Sequence, residues 1–179
     1  VITKNELKET NTWYAQGGIA GVMDLNHDSF EKHIQDTLVA GAGLCDTNAV
    51  SKMVYKAPQL IQELVDYGVG FTRKGDELDL GKEGGHSENR IVHAADATGR
   101  EVENVLAKRV KNHPNIDVYE YFFAMELLTE HHLGKKVQYL PEIHCFGVYA
   151  LNCKEGIVET FLAKKTVLAT GGIGEVYAH

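Results

Sequence analysis

The strongest constraint on the fold is a run of apolar residues spaced three and four apart between positions 46 and 68. Its members are Val50, Met53, Val54, Ala57, Leu60, Ile61, Leu64 and Val65. This spacing places one apolar stripe along a helix, so the run predicts a long amphipathic helix. Asp46 suits the N-cap and Gly68 the C-terminal stop, while Pro58 is expected to kink the helix.

Two further helices are predicted on either side of a polar stretch. Residues 29–40 begin with a serine suited to the N-cap, and Gly41-Ala42-Gly43 ends this helix. Residues 97–112 are the other helix, with valines and leucine on one face. Residues 71–82 are polar and weakly patterned, which predicts a loop or a short hairpin.

Strand signals follow the helices. Residues 116–128 are rich in Val, Tyr and Phe, and residues 143–152 and 157–164 flank a Lys-Glu-Gly turn. These patterns predict a strand and then a β-hairpin. Thr166–Ala169 is a short apolar segment that runs into Gly171-Gly172 and predicts a final parallel strand. Helices combined with strands in this way indicate an α/β fold.

Composition narrows the possible functions. The chain has 25 acidic and 18 basic residues, a net charge of −7, which argues against nucleic acid or an anionic membrane as its main partner. No apolar run approaches the roughly 20 residues of a membrane helix. Three cysteines without CxxC spacing favour a reducing, cytoplasmic setting. The absence of an initiator Met leads us to expect a piece of a longer protein.

Three segments carry chemistry-bearing residues, and the first is Asn11 to Gly18. It consists of Asn11, Thr12, Trp13, Tyr14, Ala15, Gln16, Gly17 and Gly18. Polar side chains before paired glycines offer backbone N–H groups and close approach to a planar or anionic ligand. An aromatic loop that merely turns the chain fits the same residues.

The second segment is Glu83-Gly84-Gly85-His86-Ser87, followed by Arg90, His93 and Asp96. Such a density of ionisable groups is unusual in a purely structural loop. Nothing supplies a third and fourth metal ligand beside the histidines, so no metal is expected. Ser87 is not in a G-x-S-x-G elbow, which disfavours a serine hydrolase. Salt bridges that hold a loop would account for Arg90 and Asp96.

The third segment, Leu168 to Gly172, is the predicted strand entering its glycine turn, and ligands often sit at such strand ends in open α/β sheets. Many strands end in glycine, so this signal is weak alone. The G-x-G-x-x-G dinucleotide fingerprint is absent. His131-His132 precede Gly134 and are interpreted as a solvated turn.

Taken in this order, the three segments resemble the L-aspartate oxidases, which belong to a wider flavoprotein group with succinate dehydrogenase and fumarate reductase. The resemblance covers nearly the whole chain and is strongest at residues 11–21, 35–46, 83–99 and 168–177. It implies an incomplete Rossmann-like FAD-binding domain over residues 1–179. The first strand with its glycine turn, the capping domain, the C-terminal helical domain and the family's catalytic groups are expected to lie outside this chain.

The resemblance also implies site residues. The positions that correspond to the family's FAD-binding positions are Lys4, Asn11, Thr12, Trp13, Tyr14, Ala15, Gln16, Gly17, Gly18, Phe123, Ala124, Ala169, Thr170 and Gly171. Asn11 stands at or near the histidine that bonds covalently to FAD in the dehydrogenases and reductases, so non-covalent FAD is expected. Glu83 matches the family's substrate-binding glutamate, and its carboxylate suits the ammonium group of aspartate. Glu88-Asn89 departs from a more basic pair in the family.

The function implied by the resemblance is oxidation of L-aspartate to iminoaspartate, the first step of NAD biosynthesis. O₂ or fumarate would accept the electrons, and quinolinate synthase would receive the product. This chain alone is expected to be inactive. A fumarate reductase or succinate dehydrogenase flavoprotein and a non-catalytic binding or assembly fragment are the alternatives.

Overall fold

The structure, a computed structural model, describes residues 1–95 and 97–172. The chain divides into two compact units. The helical unit is Thr10–Arg109, and the strand unit is Val1–Glu9 with the described residues from Val110 onward. The described part combines helices with parallel and antiparallel strand pairs, which confirms the predicted α/β class.

The described residues form four α-helices, two 3-10 helices and ten strands. The α-helices are α1 Asn11–Tyr14, α2 Phe30–Ala40, α3 Thr47–Tyr67 and α4 Thr98–Lys111, and the 3-10 helices are Glu130–Leu133 and Val137–Tyr139. The strands are β1 Ile2–Thr3, β2 Ile19–Ala20, β3 Arg73–Lys74, β4 Glu77–Leu78, β5 Leu80–Gly81, β6 Ile91–Val92, β7 Tyr119–Glu120, β8 Phe122–Leu128, β9 Gly147–Asn152 and β10 Ile157–Leu162.

Helix α3 confirms the strongest sequence prediction. The Asp46 carboxylate accepts a hydrogen bond from the Ala49 N–H at 2.8 Å and thereby satisfies one N-terminal amide. Gly68 ends the helix with a φ of 102°, in the left-handed region that glycine adopts at little cost. Pro58 lies inside the helix without ending it. No helix in the described ranges has the length and apolar character needed to cross a membrane.

The other two predicted helices are confirmed within a residue at each end. Ser29 is the N-cap of α2, and its hydroxyl accepts from the Lys32 N–H at 3.2 Å. Gly41 is the C-cap residue of this helix. Helix α4 buries Val102, which the sequence pattern assigned to the interior, and also Ala107, which it did not.

The core of the helical unit joins α3 and α4 to a small sheet. Strands β2, β6 and β5 form that antiparallel sheet, and β3 and β4 form the short hairpin predicted within residues 71–82. The buried cluster consists of Ile61, Val69, Phe71, Val92 and Val102. Each buried side chain of this size contributes about 1.5–3 kcal/mol relative to exposure, so this cluster is the main source of stability in the unit.

The strand unit contains the antiparallel sheet β10-β9-β8 and the parallel pair β1-β7. The predicted hairpin is therefore confirmed, although its first strand begins at Gly147 rather than Ile143. The single strand predicted for residues 116–128 is wrong, because Tyr121 has a φ of 66° and divides it into β7 and β8. A positive φ turns the chain out of the extended conformation that strand pairing requires.

The predicted final strand at Thr166–Ala169 is also wrong. These residues have no strand assignment, and Val167 and Leu168 are 86% and 66% exposed. A strand forms only where a neighbour accepts and donates its backbone hydrogen bonds, and no described strand pairs with this segment. The continuation after Gly172, which carries part of the family resemblance, lies outside the described residues.

Candidate functional site

The segment Asn11 to Gly18 begins with a helical turn rather than the predicted loop. The Thr10 hydroxyl accepts from the Trp13 N–H at 3.1 Å, which caps α1. The Arg100 guanidinium lies 5.3 Å from the centre of the Trp13 ring, in a cation–π arrangement. Most of the segment is exposed, so its polar side chains are accessible.

Helix α4 begins against the backbone of this segment. The Gly99 N–H donates to the Ala15 carbonyl at 3.1 Å. A Cβ at Gly99 would stand 2.7 Å from that carbonyl oxygen and would clash with the carbonyl of Thr12. Glycine is therefore required here because two backbone segments touch.

The paired glycines bring Glu83 beside the predicted cofactor segment. The Gly18 N–H donates to Oε1 of Glu83 at 3.3 Å. A Cβ at Gly17 would lie 3.4 Å from the same carboxylate. The structure thus places the predicted substrate-binding residue next to the end of the segment predicted to hold FAD. Glu83 itself is exposed.

Gly18 serves packing as well as hydrogen bonding. A Cβ there would lie 2.5 Å from the carbonyl oxygen of Val92 and would clash with the Ile91 side chain. These two residues form β6, which pairs with β2 just after Gly18. The sequence analysis weighed ligand approach against a simple turn for this segment, and the contact of Gly18 with β6 is a further reason for glycine at this position.

A loop between β5 and β6, Lys82–Asn89, carries Glu83 and is tied to α2. The Ser87 N–H and hydroxyl both donate to Oδ2 of Asp36, at 2.7 and 2.8 Å. Lys82 Nζ donates to the Ser87 carbonyl at 2.8 Å and closes the loop on itself. Sequence reasoning did not single out Asp36, although it lies in a stretch where the family resemblance is strong.

Arg90 anchors the end of the same loop from the interior. Its side chain is fully buried, and Nε and Nη2 donate to the two oxygens of Asp28 at 2.8 and 2.7 Å. Nη1 donates to Asp36. The interpretation of Arg90 as a salt-bridge residue is confirmed, since a bidentate carboxylate pair satisfies a buried guanidinium. Asp96, for which the same interpretation was made, lies outside the described residues.

The hydrogen bonds and charges around Arg90 shift the pKa values of Asp36, Asp28 and His33. Burial opposes the charged form of Asp36, but hydrogen bonds from Ser87 and Arg90 outweigh it and lower its pKa to about 2. The pKa of Asp28 is lowered too, because hydrogen bonds from Arg90 and Ser29 outweigh burial. Burial first, and then the positive charges of Arg90 and His86, lower the pKa of His33.

The remaining predicted FAD residues belong to the strand unit and are exposed. Lys4 follows directly after β1, and Phe123 and Ala124 lie on β8, where Phe123 is 48% exposed. Residues 169–171 lie beyond β10 and are exposed as well. The residues fit an anionic dinucleotide in chemistry, since Asn11–Gly18 contains no acidic side chain and Lys4 is a cation.

Glu126, His131 and His132 form a compact group, of which the sequence analysis interpreted only the two histidines, as a solvated turn. Its two histidines lie instead on the 3-10 helix Glu130–Leu133, with Nε2 atoms 3.2 and 3.5 Å from the Glu126 oxygens. The Thr129 N–H donates to Nδ1 of His132 at 3.3 Å, so a neutral ring carries its proton on Nε2. The three side chains bring one carboxylate and two imidazoles close enough together that they could hold a metal ion.

The comparison with family models decides the relationship. A model described as FAD binding domain matches residues 1–179. The chain belongs to this FAD binding domain family. The prediction of FAD as cofactor is thereby confirmed.

Relatives of this FAD binding domain are named L-aspartate oxidases. The chain is 48% identical to L-aspartate oxidase 1 of Ralstonia nicotianae, over 100% of this chain and 33% of that protein. It is 47% identical to the chloroplastic L-aspartate oxidase of Arabidopsis thaliana, over 99% of this chain and 26% of that protein. The chain spans about a third of the length of the curated relatives it matches.

Solved structures similar to this FAD binding domain include a fumarate reductase and an Sdh1 protein. A quinol fumarate reductase FrdA variant from E. coli superposes with a TM-score of 0.86 at 30% identity, covering 98% of this chain and 28% of that chain. Sdh1 of Mycobacterium smegmatis gives a TM-score of 0.85 at 28% identity, covering 99% of this chain and 30% of that chain. The fold expected from the resemblance is therefore confirmed.

Proposed function

We propose that this chain is part of an L-aspartate oxidase, a flavoenzyme that converts L-aspartate to iminoaspartate. The observation that carries the proposal is the Glu83 carboxylate, which lies 3.3 Å from the Gly18 N–H at the end of the predicted cofactor segment. The names of the relatives support the same substrate. The full activity requires the parts of the longer protein that contain the family's catalytic groups.

FAD is held without a covalent bond in this proposal. Asn11 has an amide where the reductase and dehydrogenase relatives have their flavin-linked histidine, and an amide does not form that bond. Asn11–Gly18 contributes neutral polar groups to the cofactor, and Lys4 contributes a positive charge. When bound, FAD supplies the oxidising chemistry, while the protein binds and orients the substrate.

Glu83 provides selectivity for an amino-dicarboxylate. An ionised carboxylate accepts hydrogen bonds only, so it attracts the ammonium group of aspartate. Succinate has a methylene group at that position and gains nothing from Glu83. Because Glu83 is exposed in this chain, its contribution depends on how far the complete site excludes water.

The wider biochemical setting follows from the same proposal. O₂ or fumarate reoxidises the reduced flavin, and the iminoaspartate passes to quinolinate synthase in the synthesis of NAD. The enzyme works in the cytoplasm. A fumarate reductase or succinate dehydrogenase flavoprotein is the second candidate, favoured by the TM-score of 0.86 with FrdA. Asn11 and Glu83 favour the oxidase.

The test is Glu83→Gln in the full-length enzyme. We expect kcat/KM for aspartate to fall at least about tenfold, because a charge-assisted contact contributes roughly 1.5–3 kcal/mol. Fumarate reduction by the same protein should stay within about twofold of the parent, since fumarate has no ammonium group. Glu77→Gln, on the exposed β4, is the matched control and should change neither rate.

Equal loss of aspartate oxidation and fumarate reduction would contradict the role given to Glu83. The same preparations test the mode of FAD attachment. Acid denaturation should release the flavin absorbance into the supernatant, and flavin that stays with the precipitated protein would favour the covalent reductase and dehydrogenase type.

A further inference from the structure

In the turn that carries Glu83, His86 contacts Arg90 Nη1 through Nδ1 at 3.3 Å, whereas the two glycines before it make no contacts that would fix the turn. The turn is closed by the His86 N–H, which donates to the Glu83 carbonyl at 3.3 Å. A Cβ at Gly84 or Gly85 would meet no atom within 4 Å, so both glycines border open space. Gly85 also has a φ of 85°, a conformation that only glycine adopts readily. A turn of this kind has a defined geometry only if its flanks are fixed from elsewhere.

Asp36 fixes the flank that follows the turn. One of its oxygens accepts from both the Ser87 N–H and the Ser87 hydroxyl, and Arg90 donates to the same oxygen. Lys82, on the other flank, donates to the Ser87 carbonyl, so the two ends of the turn are joined through Ser87. Glu83 therefore lies within a short loop whose closing residue is attached to α2.

The attachment of the loop to α2 is rigid because Arg90, which donates to Asp36, is buried. Arg90 is fully buried and makes two hydrogen bonds to Asp28, which is 5% exposed. The Asp36 side chain is 18% exposed, so its ion pair with Arg90 is only weakly screened by water. Lys32 and Glu88 form a second ion pair between α2 and the loop, but their side chains are 50% and 32% exposed. An exposed pair of that kind contributes little to loop geometry.

We propose that Asp36, acting through Ser87, is a positioning residue that sets where the Glu83 carboxylate stands and thereby contributes to selectivity for aspartate. This inference rests on the proposed function. The hydrogen bonds of Asp36 go to Ser87 and Arg90. Its effect on the reaction passes through the hydrogen bonds to Ser87 and the closed loop.

The experiment compares Ser87→Ala, Ser87→Thr and Asp36→Asn in the full-length enzyme. Ser87→Ala removes the hydroxyl, which donates to Asp36 at 2.8 Å and accepts a longer 3.4 Å contact from Arg90 Nη2, but keeps the backbone N–H to Asp36. KM for aspartate should therefore rise about fivefold, as expected for loss of one short hydrogen bond. Ser87→Thr retains a hydroxyl and should restore KM to within about twofold of the parent. Asp36→Asn weakens all three contacts and should raise KM at least as much as Ser87→Ala.

Three further readouts separate positioning from simple loss of structure. The kcat for aspartate, the KM for fumarate and the bound FAD per protein should stay within about twofold of the parent in Ser87→Ala. Glu88→Gln, which breaks only the exposed pair with Lys32, is the matched control and should leave every value unchanged. Equal changes for aspartate and fumarate, or loss of FAD together with both activities, would overturn the positioning role.

A double variant distinguishes failure of this inference from failure of the proposed function. In a protein that already carries Glu83→Gln, Ser87→Ala should raise KM for aspartate little further, because both changes act on the contact between the Glu83 carboxylate and aspartate. If Glu83→Gln alone leaves aspartate use unchanged, the proposed function and this inference fail together. If Glu83→Gln impairs aspartate use while Ser87→Ala has no effect, only the positioning role fails. Should Asp36→Asn not fold, Ser87→Ala decides the outcome.

Discussion

His33 is a buried polar residue that lacks a hydrogen-bond partner on one ring nitrogen. Its side chain lies on α2 and is 5% exposed, and Nδ1 has no partner among the described residues. Arg90 and His86 are nearby cations or potential cations, and Asp28 and Asp36 are the nearby acids. Burial and the two cationic groups outweigh the acids, so the folded protein favours the neutral imidazole.

This environment predicts a loss of stability in mild acid. The pKa of His33 is lowered in the folded state from its ordinary value of 6.5. Above that value both states are neutral there, and below it the unfolded chain takes up a proton that the folded protein resists. The free energy of unfolding should therefore fall as the pH drops below about 6.5 and level off below the folded-state pKa.

Urea denaturation of the full-length enzyme between pH 7.5 and about 4.5 measures this effect. His33→Gln should flatten the pH dependence of the free energy of unfolding, because a glutamine side chain does not take up a proton in this range. His27→Gln changes a highly exposed histidine just before the same helix and should keep the slope of the parent. An unchanged slope in His33→Gln would contradict the assignment. Asp36 affects stability in a separate pH window: its pKa is lowered to about 2, so its contribution is present in full above about 4 and is lost as the pH falls from there towards 2.

Residue types predicted the chemistry of the site better than its supports. Glu83 and Arg90 stand out in the sequence because charged residues beside paired glycines are unusual. Asp36 gave no such signal, since an acid on the polar face of an amphipathic helix is ordinary. Its role depends on a loop fifty-one residues later in the chain, a distance that no local pattern encodes.

Helices were predicted well because their signals are local. The caps at Ser29 and Asp46 and the stop at Gly68 all occupy the predicted positions. Strands were predicted less well, because a strand needs a partner that sequence alone does not supply. Tyr121 interrupts one predicted strand, and Thr166–Ala169 lacks a partner among the described strands.

Helix α4 begins in contact with backbone carbonyls, so a side chain at Gly99 should lower the stability of the protein. Gly99→Ala would place a methyl group against the carbonyls of Thr12 and Ala15, whose atoms cannot move aside as a flexible side chain can. We expect the free energy of unfolding to fall by about 1–3 kcal/mol, the range for overpacking a close contact. Gly84→Ala adds the same group to open space and is the matched control, with a change within about 0.5 kcal/mol. Equal stability of the two variants in urea denaturation would contradict the contact.

The buried apolar cluster described above belongs to one of the two units. Its members, Ile61, Val69, Phe71, Val92 and Val102, lie entirely within Thr10–Arg109. Both units also leave apolar side chains accessible, such as Leu44 in the helical unit and Leu162 in the strand unit. The sequence does not predict this division, because the strand unit combines the first nine residues with residues beyond 110. Pairing of β1 with β7 across that distance is a long-range contact.

The location of the core predicts that the helical unit folds without the rest of the chain. Residues 10–112 retain the whole buried cluster and all of α4, so this segment should give a helical circular dichroism spectrum and one cooperative urea transition. Ile61→Ala removes a side chain that is 1% exposed and should lower the free energy of unfolding by about 2–5 kcal/mol. Leu60→Ala changes the neighbouring residue, which is 51% exposed, and should lower the free energy of unfolding far less. A gradual transition in the parent segment, or equal effects of the two substitutions, would show that this cluster does not form an independent core.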